Sequence, residues 1–401
     1  MTLRADFTSQ EYFRNPAAEI EKLRAAGPVV EVRFPFVGTV WTTTTQDLAN
    51  QVLRDSETFT LRKEGNVAGL QWWMPKIVRT LANSMLTTDE PDHGRLRGIV
   101  DEAFCRRAVL DMEPRITAIA GGLADALFAE GSPAYLVDRY ARRLPLSVIC
   151  ELLGLPLADR PRFEAWALSF TRFNSALGFL GVVPKMLAMK RYMEERLDAA
   201  RQDGGAGLIA DLVRVEKEGG PISRDEMVSM LFLLLFAGHE TTTHLISGSV
   251  RELLRNPGLR DWLEEDWSRV GQAVEEFLRF VSPVQFSKPR FVRKDVELGG
   301  VRLKKGEKVM PMLVAGNLDP QANARPEKLD LDRKPNRHIA FGAGIHFCLG
   351  HQLARLEGQC ALQALFERWP KLELATEDSR LRWRARAGIR AIERLPVAAG
   401  R

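Results

Sequence analysis

Apolar positions recur at three- and four-residue steps through most of this chain and alternate with polar ones in only a few short stretches, so helices outnumber strands heavily. Residues Glu11 to Ala26 have helical spacing. Gly27 and Pro28 break it, and the alternation from Val29 to Phe34 predicts a strand, followed by a second over Gly38 to Thr44. From Thr45 to about Trp267 the pattern is mainly helical. It includes Arg95 to Ala103, Pro114 to Ala129, Ser147 to Leu153, Lys190 to Arg201 and a long apolar run from about Arg224 to Leu254. Strands are predicted again at Val284 to Phe291 and Lys308 to Val314, with turns at Gly299-Gly300 and Lys305-Gly306. Leu349, Leu353, Leu356, Cys360 and Ala364 then trace one apolar face, predicting a helix from Cys348 to about Trp369 that Pro370 ends. The tail alternates at Leu372 to Leu374 and at Leu381 to Arg384. These elements predict a mainly α fold, a single domain over residues 1–401 with a small β-rich region drawn from residues 28–45, 284–320 and 370–397.

Composition narrows the function class. At 401 residues and 45% hydrophobic content the chain is able to bury a large core. Its 57 basic and 52 acidic residues leave a net charge of +5, too mild and too mixed in sign to argue for nucleic acid. The N-terminal Met1 to Asp6 lacks the apolar core of a signal peptide, and the longest apolar run, Met230 to Gly238, is too short to span a bilayer. A cytoplasmic, monomeric protein without a membrane partner is expected. The four cysteines, Cys105, Cys150, Cys348 and Cys360, are scattered without a disulfide framework, which fits a reducing compartment.

The chemistry concentrates in two places. Phe341-Gly342-Ala343-Gly344-Ile345-His346-Phe347-Cys348-Leu349-Gly350 is a glycine-punctuated loop that delivers one cysteine to the start of a helix. Helix N–H groups and the positive end of the dipole favour a thiolate there. Gly342, Gly344 and Gly350 permit close approach of a large flat group, and such a thiolate suits axial ligation of haem iron. Two other readings compete. A lone cysteine beside Phe347 and Leu349 also fits an inert core position. His338, His346, Cys348 and His351 crowd together like zinc ligands, although no CxxC or second cysteine pair completes a four-ligand set. The second place is Leu233 to Thr243, where Glu240 and three threonines beside Gly238 interrupt an apolar helix. Back-bonded threonines with Glu240 at the surface would explain it structurally. A carboxylate beside a hydroxyl in an apolar pocket would equally provide a proton relay.

The ten-residue cysteine segment closely resembles the haem-binding signature of the cytochrome P-450 superfamily, the haem-thiolate monooxygenases. Its order of elements is similar as well, from roughly Pro16 to Val397. The resemblance implies a haem b ligated by Cys348 and bedded on Phe341, Gly342 and Gly350. It implies propionate partners at His93 and Arg97, at Arg290 and at His346. By the same match Ala237 and Gly238 leave room for dioxygen, Thr241 holds it by a hydrogen bond and Glu240 relays protons. Glu276 and Arg279 match the family's structural Glu-X-X-Arg element. The arginine that normally joins them is missing from Pro326-Glu327-Lys328-Leu329, which leaves Lys328, Arg333 or Arg337 as substitutes. Pocket walls are implied at Trp72, Trp73, Phe173, Leu233, Phe236, Val284 and Phe286. The implied reaction inserts one atom of O2 into a mostly apolar small molecule, by hydroxylation or epoxidation. No dinucleotide-binding Gly-X-Gly-X-X-Gly follows a strand, so electrons are expected from NAD(P)H through a separate reductase and ferredoxin. The donor would dock on a basic patch of Arg106, Arg107, Arg355 and Arg368. A peroxide-driven peroxygenase and a non-catalytic haem sensor are the alternatives. The intact Glu240-Thr241 pair favours the monooxygenase.

Overall fold

Valines at alternate positions build β1 (Val29–Phe34), which pairs antiparallel with β2 (Gly38–Thr43) in the register Val29↔Thr43 to Phe34↔Gly38. The computed structural model describes residues 3–35, 37–63, 66–67, 84–101, 106–170 and 176–400, without the side chains of 66–67, 106–108, 164, 167–170 and 176–180. The remaining strands are β3 (Phe59–Thr60), β4 (Arg62–Lys63), β5 (Asn66–Val67), β6 (Ala134–Tyr135), β7 (Arg290–Val292), β8 (Val296–Leu298), β9 (Val301–Leu303), β10 (Lys308–Val309), β11 (Glu373–Leu374) and β12 (Pro396–Ala398). They form a five-stranded sheet β1-β2-β10-β7-β3, a three-stranded sheet β11-β12-β6 and the hairpins β4-β5 and β8-β9. The larger sheet is mainly antiparallel, with β10 parallel to β2. Val29, Val52, Phe59, Val292, Leu298, Leu303 and Val309 close its core. Burying each such side chain contributes about 1.5–3 kcal/mol.

The chain divides into two compact units. The sheet unit, Met1–Gly69, Val109–Leu144 and Thr241–Arg401, holds these strands together with helices Gln46–Arg54, Glu113–Asp125, Val270–Val281 and His351–Arg368. The helical unit, Leu70–Ala108 and Pro145–Glu240, holds helices Asp92–Asp101, Arg160–Phe170, Ala176–Asp203 and Leu208–Lys217. The threonine helix, Arg224–Arg255, supplies its first half to the helical unit and its second half to the sheet unit. The helices make the chain 55% helical, as the apolar spacing predicts. No helix among the described residues is long and apolar enough to cross a membrane.

Several boundaries depart from the pattern. The helix predicted from Cys348 begins at His351, because Gly350 is its cap and accepts the first helical bond from Ala354 N at 2.9 Å. The strand predicted over Val284 to Phe291 shrinks to β7. Pro283 and Pro289 offer no backbone donor, and Val284 and Phe286 make single bridges to different partners, Ile389 and Met312. The strand predicted over Lys308 to Val314 is only β10, and Leu313–Asn317 turns helical instead. That stretch is buried throughout, so its apolar run carries no period to distinguish the two states. The helix predicted at Lys190 to Arg201 extends over Ala176–Asp203 and includes Pro184, which reads as a break in sequence.

One buried ion cluster organises the meander before the cysteine loop. Arg279 on helix Val270–Val281 grips Glu276 with two bonds of 2.7 Å and donates to the carbonyls of Asn317, Pro326 and Lys328. The missing third partner is Arg333, whose Nε lies 3.2 Å from both Glu276 oxygens. Its guanidinium also donates to the carbonyls of Ala324, Arg325 and Lys328. Lys328 serves through its carbonyl only, and the Arg337 carbonyl accepts from Gln46 and Asn323. Glu276 and Arg279 are fully buried, so each charge must be compensated locally. Replacing Arg333 with leucine is expected to cost about 3 kcal/mol in urea unfolding, on the order of the penalty for a buried charge that loses a partner. An unchanged midpoint would show that the cluster is held by Arg279 alone.

Candidate functional site

The cysteine loop is pinned at both ends. Gly342 N donates to Ile339 O at 2.9 Å, Phe347 N to Gly344 O at 3.0 Å and Cys348 N to Phe341 O at 3.0 Å. Asn317 Oδ1 accepts from Ile339 N at 2.7 Å, which ties the loop to the helix set by the ion cluster. Gly344, at φ 72°, lets the loop pass so close to the Leu53 carbonyl and Arg54 that any side chain there would collide with backbone. Gly342, at φ 71°, and Gly350 behave differently, since a Cβ at either would meet nothing within 4 Å. The loop is therefore packed on one side and open on another. Cys348 is half-buried, as are Phe341 and His346.

Beside the loop, Glu275 is held by His338 Nε2 at 2.9 Å and by Arg355 at 2.5 and 3.0 Å. Burial opposes this carboxylate's charge, but bonds from His338 and Arg355 outweigh it and bring its pKa down to about 2. The Arg355 guanidinium lies 4.6 Å over the Phe341 ring, so the ion pair also braces the loop. A recess of about 450 Å³ opens here, lined by Glu275, His338, Phe341, Phe347 and Arg355 among others. Arg368 pairs with Asp125 at 2.6 Å. Two cations of the expected basic patch are thus engaged with acids, while the Arg106 and Arg107 side chains lie outside the described residues.

Accessibility along the threonine helix is periodic. Leu233, Phe236, Ala237, Glu240 and Thr241 are half-buried or exposed in a segment whose other residues are mostly buried. Their spacing of three and four places them in one stripe. Thr242 and Thr243, at 4% and 1% exposure, point elsewhere. Gly238 is off the stripe: a Cβ there would lie 2.9 Å from the Ile149 terminal methyl, so its missing side chain serves helix packing. His239 is buried with Nδ1 2.6 Å from Leu235 O.

The remaining predicted residues fall as follows. Arg290 is 3% exposed and donates to Phe59 O at 3.3 Å. In the helical unit, His93 is buried with Nδ1 3.5 Å from Glu90, and burial lowers its pKa. Arg97 pairs with Asp101 at 2.7 Å. Val284 packs on the cluster of Leu313, Ile339 and Ala343 at the base of the loop. The Phe286 ring is buried in the core edge-to-face with Phe7 and Phe34, each with centroids 5.0 Å apart, which removes it from an accessible wall. Trp72, Trp73 and Phe173 lie outside the described residues.

The chain matches the Cytochrome P450 family model over residues 185–380. It is 38% identical over 396 residues to the vitamin D(3) 25-hydroxylase of Pseudonocardia autotrophica, covering 98% of this chain and 96% of that one. Among solved structures, the myxobacterial CYP267B1 in complex with myristic acid superposes with a TM-score of 0.90 at 36% identity, covering 98% of this chain and 99% of that one. P450BioI in complex with an acyl carrier protein ligated to hexadec-9Z-enoic acid gives a TM-score of 0.88 at 32% identity, covering 97% and 99%. The chain belongs to the cytochrome P450 family. It is accordingly a haem-dependent monooxygenase with the cytochrome P450 fold.

The residues of this cytochrome P450 suit that cofactor. A cysteine sulfur as single soft donor fits haem-thiolate ligation. The open Cβ directions of Gly342 and Gly350 leave a face that a flat group requires, and Arg290 is a buried cation suited to a carboxylate.

Sequence reasoning missed Glu357, on the cysteine helix nine residues after Cys348. Its carboxyl is buried and bonded by the Thr242 hydroxyl, which ties the cysteine helix His351–Arg368 to the threonine helix. Its only sequence signal was a charge on the apolar face between Leu356 and Cys360. Burial raises its pKa to about 8, and the Thr242 bond offsets part of the rise. The folded protein therefore keeps a proton that the unfolded carboxyl releases near its ordinary 4.5. Stability contributed by this group is full below about pH 4.5 and is lost as pH rises toward about 8. Glu357→Gln is expected to flatten that part of the pH–stability profile, so that the variant gains on the parent between pH 5 and 8. Parallel profiles in urea unfolding would show that Glu357 is ionised throughout.

Proposed function

We propose that Cys348 is the axial ligand of a haem b seated on Phe341, Gly342 and Gly350, with Arg290 and His346 as propionate partners. His93 and Arg97 are further propionate partners by the family pattern. The observation that carries this reading is a cysteine on a loop packed on one side against Leu53 and Arg54 and open on another. Bound haem supplies oxygen activation and transfer of an oxygen atom. The balance is that O2, a C–H bond, two electrons and two protons give an alcohol and water, or an epoxide where the substrate has a double bond.

The protein's own part is protonation and exclusion of water. Glu240 Oε takes protons from solvent and the Thr241 hydroxyl hands them on, both from the accessible stripe. Leu233, Phe236 and Ala237 keep that stripe apolar. Val284 is a further wall, and Glu276 and Arg279 hold the loop's base. The substrate is a mostly apolar small molecule, in keeping with the vitamin D(3) hydroxylase and the myristic acid complex among the relatives. Electrons reach the haem from NAD(P)H through a separate reductase and ferredoxin. The peroxide-driven alternative is disfavoured by the intact acid–alcohol pair and is checked by comparing O2 plus donor proteins with peroxide alone.

Two outcomes test this. The reduced carbon monoxide complex is expected to show the red-shifted Soret band of thiolate ligation, and Cys348→His to abolish it; a band that survives the substitution removes the assignment. Thr241→Ala is expected to keep haem and substrate affinity while product falls and hydrogen peroxide rises. Thr242→Ala should stay coupled, because its hydroxyl is turned to Glu357. Uncoupling in Thr242→Ala with Thr241→Ala unaffected would move the relay to the wrong face.

A further inference from the structure

Helix Val270–Val281 carries two adjacent carboxylates that meet different neighbours. Glu276 is fully buried and holds Arg279 and Arg333 in the ion cluster under the meander. Glu275 takes no part in that cluster. Its two oxygens accept from Arg355, Nε at 2.5 Å and Nη2 at 3.0 Å, and one of them also meets His338 Nε2 at 2.9 Å. The third guanidinium nitrogen, Nη1, donates to His351 Nδ1 at 2.8 Å and to the His351 carbonyl at 3.3 Å. With all three nitrogens engaged, the plane of the Arg355 fork is fixed.

That plane lies 4.6 Å over the Phe341 ring, whose other edges face His351 at 6.0 Å and Phe347 at 6.3 Å. The Phe341 carbonyl accepts from Cys348 N at 3.0 Å. A contiguous set of contacts therefore runs from Glu275 through Arg355 and Phe341 to the backbone that carries the sulfur. The loop has space on its other side, since a Cβ on Gly342 or Gly350 would meet nothing within 4 Å. Holding the ring with an arginine has a side effect. A cation near a cysteine stabilises negative charge on the sulfur, and a sulfur whose charge is stabilised in this way gives less electron density to a bound iron. Glu275 cancels that charge at the guanidinium itself. The bonds from His338 and Arg355 keep it ionised at any physiological pH, with a pKa of about 2.

We propose that Glu275 is a positioning residue for the haem reaction: through the Arg355 fork it holds Phe341, and with it the backbone of Cys348, while it neutralises the charge that the arginine brings to the loop. This rests on the reading of Cys348 as haem ligand given above. Two adjacent carboxylates on one helix thus divide the work. Glu276 fixes where the loop starts, and Glu275 fixes how the sulfur is presented and how electron-rich it stays.

The test uses the haem-loaded protein and reads two quantities, the one-electron reduction potential by spectroscopic titration and the lifetime of the thiolate Soret band in the reduced carbon monoxide complex. Glu275→Gln removes the carboxylate charge, which favours the reduced state with its extra electron. The reduction equilibrium is expected to shift about threefold to tenfold toward that state, at most about 59 mV upward for a one-electron couple. Glu275→Asp keeps the charge and should stay at the parent potential. Arg355→Lys keeps its charge but neither forks nor lies flat on a ring, so its potential should hold while the thiolate band decays about threefold faster or more. Asp125→Asn breaks the other ion pair of the cysteine helix, Arg368 with Asp125, and should move neither reading. An unchanged potential in Glu275→Gln, an equal shift in Asp125→Asn, or a parental band lifetime in Arg355→Lys overturns the proposal. If Glu275→Gln fails to load haem, Arg355→Lys carries the test. Failure of the ligand assignment is separately visible, as a parent protein without the thiolate Soret band.

Discussion

A single buried carboxylate, Glu276, sets the geometry on which the cysteine loop depends. It holds two guanidiniums, Arg279 and Arg333, and these satisfy the carbonyls of Asn317, Ala324, Arg325, Pro326 and Lys328 in a stretch with almost no regular structure. Buried carbonyls need donors, and an arginine offers several in one plane. Without the ion cluster this meander would have neither a ladder nor a helix to satisfy it. Asn317 passes the placement on, with its amide oxygen on Ile339 N and its amide nitrogen on Ser282 Oγ. The loop that follows inherits a fixed starting point.

The threonine helix meets a different constraint. It must be apolar enough to pack within the protein and polar enough to manage protons. The conflict is resolved by segregation around the helix axis. Leu233, Phe236, Ala237, Glu240 and Thr241 share the accessible stripe, whereas Thr242 binds Glu357 and Gly238 yields to Ile149. Adjacent threonines thus have unrelated tasks, one on the accessible stripe and one tying two helices together. The Glu357 carboxyl is tolerable because burial keeps it neutral over much of the working pH range.

Charge around the cysteine loop is similarly committed to structure. Arg355 spends its fork on Glu275 while its face covers Phe341, and Arg368 is bound to Asp125 at the end of the cysteine helix. A would-be Cβ on Gly121 lies 2.6 Å from the Arg368 guanidinium, so the bare glycine lets that side chain lie close against the helix. Net positive charge in sequence therefore overstates the cation available to a partner there.

The sequence by itself determined the family, the mainly helical class and the two chemical segments, because these depend on local order: a glycine-spaced loop around Cys348 and an acid–alcohol pair inside an apolar helix. It also placed β1, β2 and the threonine helix closely, where periodicity is strong. Only the tertiary structure decided which cation completes the Glu276 cluster, since Lys328, Arg333 and Arg337 are indistinguishable until the meander brings one guanidinium to 3.2 Å. It likewise decided that Leu313–Asn317 is helical and that the cysteine helix waits until His351, because burial on every side and a capping carbonyl leave no periodic trace. The roles of Glu357 and Phe286 were illegible for the same reason. Each is fixed by contacts with residues distant in the chain, Thr242 and Phe7, and a side chain's identity does not encode what the fold will bring beside it.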